Sequence, residues 1–459
     1  MKKNRNQRRR TSGFTLIEAI VVLFVVSLIT LTFYETWSLG TKHIANAKYR
    51  LGASALANQQ MEIIRSLIFD DIGTVSGIPS GTLAQDQTLN ANNTVYDVHT
   101  VVQFVDDPTD GTLVAGTDIA PNDYKRATVT VSWGSASDSE KVDMTSIFSL
   151  DGVESVAAGT GILSVNVLNN AGVGVANASV HITNTSVTPN INVTAATDTN
   201  GNLMFPGAPA SVQGYHITVS KSGYYGNITY SPYPTSVFKP TNVHASVVAG
   251  SLTASTLITD RTASLDIQAE DPFGVDLSDI DFTISGGLVV GVDAGTSAPV
   301  YDFTQTTMTD SDGEKEFSDR SSGAYTLTLG PSAEAQYEFL RLDPEETTQN
   351  SINLTAGDSK TVKYVLAQKN FRSALVTVKS STDETPIAGA SVRLHSISLG
   401  FDVTLATDMY GQAYFPVDST PLVAGTYDVD VSASGFTSAT DTFPVMGSVL
   451  EKKDILLAP

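Results

Sequence analysis

Between Phe14 and Tyr34 every side chain is apolar or a small hydroxyl, with one exception, Glu18. As a helix rising about 1.5 Å per residue, such a run reaches roughly 30 Å, enough to cross the hydrocarbon core of a bilayer. Residues 1–13 in front of it hold Lys2, Lys3, Arg5, Arg8, Arg9 and Arg10 and no acid. A basic flank stays cytoplasmic, so a single span over 14–34 places everything after Tyr34 outside. Mean hydropathy over the 459 residues is +0.01, and 41% of them are hydrophobic. That balance excludes both a polytopic membrane protein and a wholly disordered chain.

The order of the N-terminal parts is unusual for export. An ordinary secretory signal is cut after its apolar core, at small residues. Here the small residue, Gly13, precedes the core and is followed by Phe14-Thr15-Leu16-Ile17-Glu18. A lone carboxylate that deep in a spanning helix costs at least ~2.5 kcal/mol unless something pairs it, which marks Glu18 as functional. Cutting between Gly13 and Phe14 would leave a free α-amine on Phe14 near Glu18. A neighbouring helix could then bring its own amine to that carboxylate.

These residues resemble the class III prepilin signal of type IV pilins and type II secretion pseudopilins: a short basic leader, then G-F-T-L-I-E at Gly13–Glu18. The resemblance implies that a prepilin peptidase cuts after Gly13 and methylates Phe14. It also implies that Glu18 pairs with a neighbour's amine during assembly. No proline occurs from Phe14 to Gly73, so one helix of about 55 residues, roughly 80 Å, is expected over 14–72. In its second half Ala53, Leu56, Ala57, Met61, Ile64, Leu67 and Ile68 fall on one face, with Asn58, Glu62 and Arg65 opposite. Leu56–Gly73 looks most like minor pilins of the V type or I-type pseudopilins.

Residues 73–151 read as a small head. Tyr96, Val98, Thr100, Val102 and Phe104 alternate with polar residues, as do Val129, Val131 and Trp133, and then Val142, Met144, Phe148 and Leu150. Three antiparallel strands packed on the apolar helix face are expected. The intervening acids Asp106, Asp107 and Asp110 lack the ligand spacing of a calcium loop and read as a solvated turn.

A linker of small residues, 152–161, leads to a pattern that recurs three times, T-D-x-x-G-x-x-x-F. Its copies begin at Thr197, Thr309 and Thr407, roughly 100 residues apart, a domain-sized rather than solenoid-sized period. After each copy comes a strand opened by Gly and Tyr, at Tyr215, Tyr325 and Tyr427. Asp followed by Gly makes a tight turn, the glycine accepting a positive φ. Three immunoglobulin-like β-sandwiches are therefore expected, over 162–250, 251–369 and 370–459. The first and third resemble carboxypeptidase regulatory-like (transthyretin-like) domains, through Val175–Val180 and Ile387–Val392 before the turn and Ser222-Gly223-Tyr224 and Ser434-Gly435-Phe436 after it. The middle copy departs from them at Asp271-Pro272-Phe273-Gly274. The fold class is thus mostly β with one long N-terminal α-helix: a pilin-like helix and sheet, then three tandem sandwiches.

Several chemistries are set aside. Lys+Arg number 27 against 48 Asp+Glu, a net charge of −21, so a phosphate backbone is repelled and nucleic acid is a poor partner. There is no cysteine, and the six histidines are far apart in the sequence. Asp310-Ser311-Asp312-Gly313 comes closest to a calcium loop, but its third copy offers Met409-Tyr410, which cannot chelate, so all three copies read as structural turns. Lys379 ends the first strand of the third sandwich, but no Asn lies on Val449–Leu457. The Lys–Asn cross-links of some related pilus domains are not expected. No nucleophile elbow, phosphate loop or dinucleotide fingerprint is present; no metal, no cofactor and no enzymatic activity are expected.

Together these features point to a minor-pilin-like subunit of a type IV pilus, held in the cytoplasmic membrane by one span before assembly. Afterwards it would display its sandwiches on the pilus and cell surface for adhesion. The expected partners are a prepilin peptidase, the membrane and other pilins or pseudopilins along the helix, with the extracellular ligand unspecified. A pseudopilin of a type II secretion-like system, or a membrane-anchored surface protein that never assembles, are the alternatives.

Overall fold

The computed structural model describes residues 16–105, 123–134, 141–149, 158–346 and 348–459. They form two compact units, 1–156 with 204–206, and 157–203 with 207–459, and each is taken by itself.

The first unit is built on α1, Leu16–Arg65, 50 residues long and so about 75 Å. No proline interrupts it. The hydroxyls of Ser27, Thr30, Thr32 and Thr36 donate to carbonyls one turn earlier at 2.7–3.0 Å, which spends these four hydroxyl hydrogens on the helix's own backbone. In the second half Ala53, Leu56, Ala57, Met61 and Ile64 are buried against Tyr96, Val98, Val102, Ala127, Val129, Val131 and Trp133. The helix stops earlier than expected, at Arg65. Ser66 then turns its hydroxyl onto the Ile63 carbonyl, and a 3-10 turn follows at Phe69–Asp71. Leu67 keeps its place against the core, whereas Ile68, past the helix end, is 68% exposed. Gly52 has a specific reason to be glycine in mid-helix. Tyr96 lies over it to donate to the Tyr49 carbonyl at 3.1 Å, and a Cβ there would stand 2.3 Å from the Tyr96 hydroxyl.

The sheet on that face has four strands where three were expected: β1 Asp86–Ala91, β2 Thr94–Val105, β3 Tyr124–Ser132 and β4 Lys141–Ser149, an antiparallel meander in that order. The added strand, β1, joins β2 through Asn92-Asn93, both at positive φ. That is the hairpin turn whose twist suits two-residue loops. Asp106, Asp107, Asp110, Leu150 and linker residues 152–157 lie outside the described residues.

The second unit repeats one plan three times. Its first sandwich holds β5 Thr160–Leu168, β6 Ser179–Asn184, β7 Ile191–Ala196, β8 Asn202–Pro209, β9 Ser211–Ser220, β10 Asn227–Ile228, β11 Phe238–Pro240, β12 Ala245–Val247 and β13 Leu252–Ile258. The second holds β14 Ala263–Glu270, β15 Asp281–Asp293, β16 Pro299–Met308, β17 Glu314–Arg320, β18 Gly323–Leu329, helix α2 Pro331–Gln336, β19 Tyr337–Asp343, β20 Ser351–Leu354 and β21 Ser359–Gln368. The third holds β22 Ser373–Ser380, β23 Ser391–Ser396, β24 Phe401–Ala406, β25 Gln412–Phe415, β26 Gly425–Ser432, β27 Ala439–Val445 and β28 Leu450–Leu457. In each, the opening strand (β5, β14, β22) lies between the strand after the T-D-x-x-G turn and a parallel closing strand, β13, β21 or β28. The facing sheet is centred on β6–β9, β15–β18 or β23–β26. Two strands cross the expected boundaries: β13 closes the first sandwich beyond residue 250, and β11 pairs with β15 of the second.

The repeated residues form the same bonds in every copy. The buried hydroxyls of Thr197, Thr309 and Thr407 each donate to a carbonyl, of Val175, Leu277 or Ile387, and each accepts an N–H, from Ala178, Ile280 or Ala390. Tyr215, Tyr325 and Tyr427 are fully buried and donate to the carbonyls of Pro209, Ser321 and Val423 at 2.6–2.8 Å. A buried tyrosine needs such a partner for its hydroxyl. Of the three pattern phenylalanines, Phe317 and Phe415 are buried, whereas Phe205 is half-buried and Leu203 takes the core position.

Sandwiches two and three share a packed face. Leu340, Val365 and Ala367 meet Leu375, with Tyr414 and Leu450 around them, and Phe273 lies edge-on to Phe371 at 5.8 Å. Only Lys369–Arg372 separate β21 from β22, so the chain reverses tightly and stacks sheet on sheet. The residues that make the third T-D-x-x-G copy unlike the others serve this contact. The Met409 N–H donates to Glu345 at 3.1 Å, and the Tyr410 hydroxyl donates to the Glu346 carbonyl.

Two histidines that are distant in sequence meet in the first sandwich. His216 and His244 stack with ring centroids 3.6 Å apart. His244 is only 6% exposed. The Ile217 N–H donates to the Thr229 hydroxyl, which lies 2.9 Å from His244 Nδ1, while Nε2 faces the Ser231 hydroxyl. Burial first, and the neighbouring His216 second, push His244 down to about 4 from 6.5. A histidine depressed on folding stabilises the native state above its unfolded value and loses that contribution as pH falls through its folded one. The first sandwich is therefore expected to lose roughly 3 kcal/mol between pH 6.5 and 4. His244→Gln should flatten that loss, and thermal unfolding at pH 7 and 4.5 measures it.

Candidate functional site: the N-terminal assembly segment

Of the three residues singled out by the sequence, Gly13 and Phe14 lie outside the described residues. Glu18 belongs to the first turn of the described helix. Around it the helix surface is apolar and exposed: Leu16, Ile17, Ile20, Val21 and the large side chains on to Tyr34 are all uncovered. Among the described residues this is one helix long and apolar enough to cross a membrane.

The electrostatics of that surface follow from helix geometry. No Lys, Arg or His occurs on α1 before Lys42, which at about 1.5 Å per residue lies roughly 36 Å along the axis from Glu18. The helix cannot neutralise this carboxylate from its own side chains. Any cation that pairs with it must come from outside the helix, and a carboxylate in hydrocarbon gains most from such a pair.

At its other end the helix is tied into the head by Lys125, which is only 4% exposed. Its ammonium donates to the Phe69 carbonyl at 2.7 Å and lies over the rings of Phe69 and Phe104, at 4.6 and 5.6 Å. Burial pushes it down to about 8, against the pull of Asp70 and Asp71. Sequence reading missed this clamp, since a lysine on an alternating strand carries no mark of burial.

The repeated turns share one hydrogen-bond pattern. In each, the aspartate accepts two backbone N–H groups: Asp198 from Asn200 and Asn202, Asp310 from Asp312 and Glu314, Asp408 from Tyr410 and Gln412. Among the described residues no group of three or more His, Asp or Glu could hold a metal ion. Lys379 makes an exposed ion pair with Asp454 at 2.7 Å.

Residues 8–34 match the family described as the prokaryotic N-terminal methylation motif. That match spans the end of the basic leader and the apolar run, and supports a prepilin-type N-terminus. No curated protein matches the chain. Among solved structures, similarity is found to the Bacillus anthracis TIE protein, 12% identical over 82% of this chain and 73% of that one, with a TM-score of 0.19. The Streptococcal ancillary pilin is 11% identical over 65% and 98%, TM-score 0.19. The minor pilin of the Gram-positive pathogen Streptococcus agalactiae is 12% identical over 45% and 95%, TM-score 0.21.

Proposed function

We propose that this chain is a minor, pilin-like structural subunit of a type IV pilus, which exposes its three sandwiches outside the cell for adhesion. The observation that carries the reading is Glu18: an acid inside a span with no cation of its own, set within a prepilin-type methylation motif. In this reading a prepilin peptidase cuts after Gly13 and methylates Phe14, and the carboxylate of Glu18 then takes a neighbouring subunit's N-terminal amine. The exposed first half of α1 supports the same role, because an all-round apolar surface must be covered by lipid or by sister helices. The buried half holds the head on the helix. Sandwiches of this bulk suit display from a filament or its tip better than dense packing along a shaft.

Intact mass of the protein in sheared filaments tests the proposal. The expected species begins at an N-methylated Phe14. Gly13→Trp should keep the leader and be absent from the shear fraction. A mature chain that retains Met1, or one trimmed beyond Tyr34, would overturn the reading. Loss of protein export with normal filament-dependent adhesion, on deletion, would instead assign it to a secretion pseudopilus.

A further inference from the structure

The middle sandwich departs from its neighbours after the tyrosine strand, and a cavity lies there. After the tyrosine strand, the first and third copies pass to β10 and β27, which pair with β9 and β26. The second passes instead into α2 and then β19, which joins the opposite sheet beside β21. Between β18 on one sheet and β19 and β21 on the other, at α2, an open cavity of about 250 Å³ remains. That is room for about eight waters at roughly 30 Å³ each, less than a drug-sized site and suited to one small ring.

Its lining is mixed in a specific way. Leu327, Leu329 and Phe339 give an apolar floor, and Tyr337 stands half-buried at its side. Tyr364, 1% exposed, also lines it. Its ring packs on Phe339 at 5.1 Å and Phe282 at 6.2 Å, yet its hydroxyl makes no hydrogen bond among the described residues. The three buried tyrosines on the repeat strands all spend their hydroxyls; this one does not. Around the rim are Glu334, Glu338 and the Asn350 amide. Asn350 uses its N–H on the Leu327 carbonyl and keeps its own oxygen as an acceptor. Lys369 is already engaged, donating to the Glu334 carbonyl at 2.6 Å and lying 3.7 Å from Glu338.

We propose that this cavity binds one neutral sugar ring, as the terminal residue of a surface glycan or as free monosaccharide. An apolar and aromatic floor takes the C–H face of a pyranose, while carboxylate, amide and phenol groups on the rim meet its hydroxyls. The Glu334 carboxylate repels an acidic sugar, and Lys369, beside a Glu338 that also pairs with Lys452 at 2.8 Å, repels a quaternary ammonium group. This rests on the surface-display reading for its biological setting, though not for its chemistry.

The test uses the full chain in detergent micelles and saturation-transfer NMR observed on the small molecule. The probes are glucose, galactose, mannose and N-acetylglucosamine, with N-acetylneuraminic acid and choline as contrasts. At least one neutral sugar should bind saturably. Tyr337→Ala should weaken it roughly tenfold, and Tyr364→Phe, which removes only the unspent hydroxyl, roughly three- to tenfold. Immobilised glycans ending in the sugar that binds then separate a terminal residue from a free monosaccharide. The proposal falls if no neutral sugar binds, if both variants bind like the parent, or if the acidic sugar or choline is preferred. None of these outcomes touches incorporation into sheared filaments, so failure here is distinguishable from failure of the pilus reading.

Discussion

Glu18→Ala is expected to yield a chain that is cut after Gly13 and held in the membrane as before, yet is depleted at least tenfold from sheared filaments. The span itself becomes easier to insert, since a carboxylate at that depth costs at least ~2.5 kcal/mol. What is lost is the attraction that draws an amine from a sister helix into lipid. The next acid on α1, Glu35, lies about 26 Å further along the axis and cannot replace it. Each 1.4 kcal/mol of lost association is a factor of ten. Glu35→Ala, a control on the same helix just past the span, should incorporate normally. Immunoblots of shear and membrane fractions read both variants. Normal incorporation of Glu18→Ala would remove the assembly role.

The second large effect concerns the repeated turn. Gly411 has φ +73, and a Cβ on it would lie 2.4 Å from the Val378 carbonyl oxygen of β22. Gly435 has φ +84 with nothing within 4 Å of the same added atom. The two separate backbone strain from collision. Gly435→Ala should cost about 1–2 kcal/mol, the price of a left-handed alanine. Gly411→Ala adds a clash with fixed backbone in the hinge of a buried turn and should cost about 3 kcal/mol or more. Thermal unfolding of the second unit checks the difference. Equal losses would show that the strand gives way and that the turn is not the rigid element described.

Much of this was legible in the residues. The spanning run, its basic flank and its single acid are statements about composition along a line, and a bilayer reads a helix one residue at a time. Likewise the T-D-x-x-G pattern specifies local hydrogen bonds, so Thr197, Thr309 and Thr407 and their aspartates do in the fold what short-range geometry requires of them. The missed strand β1 had a local signal too, the Asn92-Asn93 turn, set among residues with too little apolar alternation to stand out. The end of α1 was harder to place, because Ser66 to Ile72 contain no proline or glycine and the turn that follows is held by Lys125, a strand away.

Other features have no local signature at all. The stacking of His216 on His244, the docking of Met409-Tyr410 onto Glu345-Glu346, and the unspent hydroxyl of Tyr364 each join residues brought together by sheets closing on each other. A side chain's burial, its partner and its readiness to hold a proton are set by what the fold places across from it. The linear order therefore determined where the chain meets the membrane, that one acid there lacks a mate, and that one β unit is used three times. Only the folded arrangement decided which copies fuse, which polar groups are satisfied internally and which remain open to a ligand, because those depend on distances between strands that lie far apart along the chain.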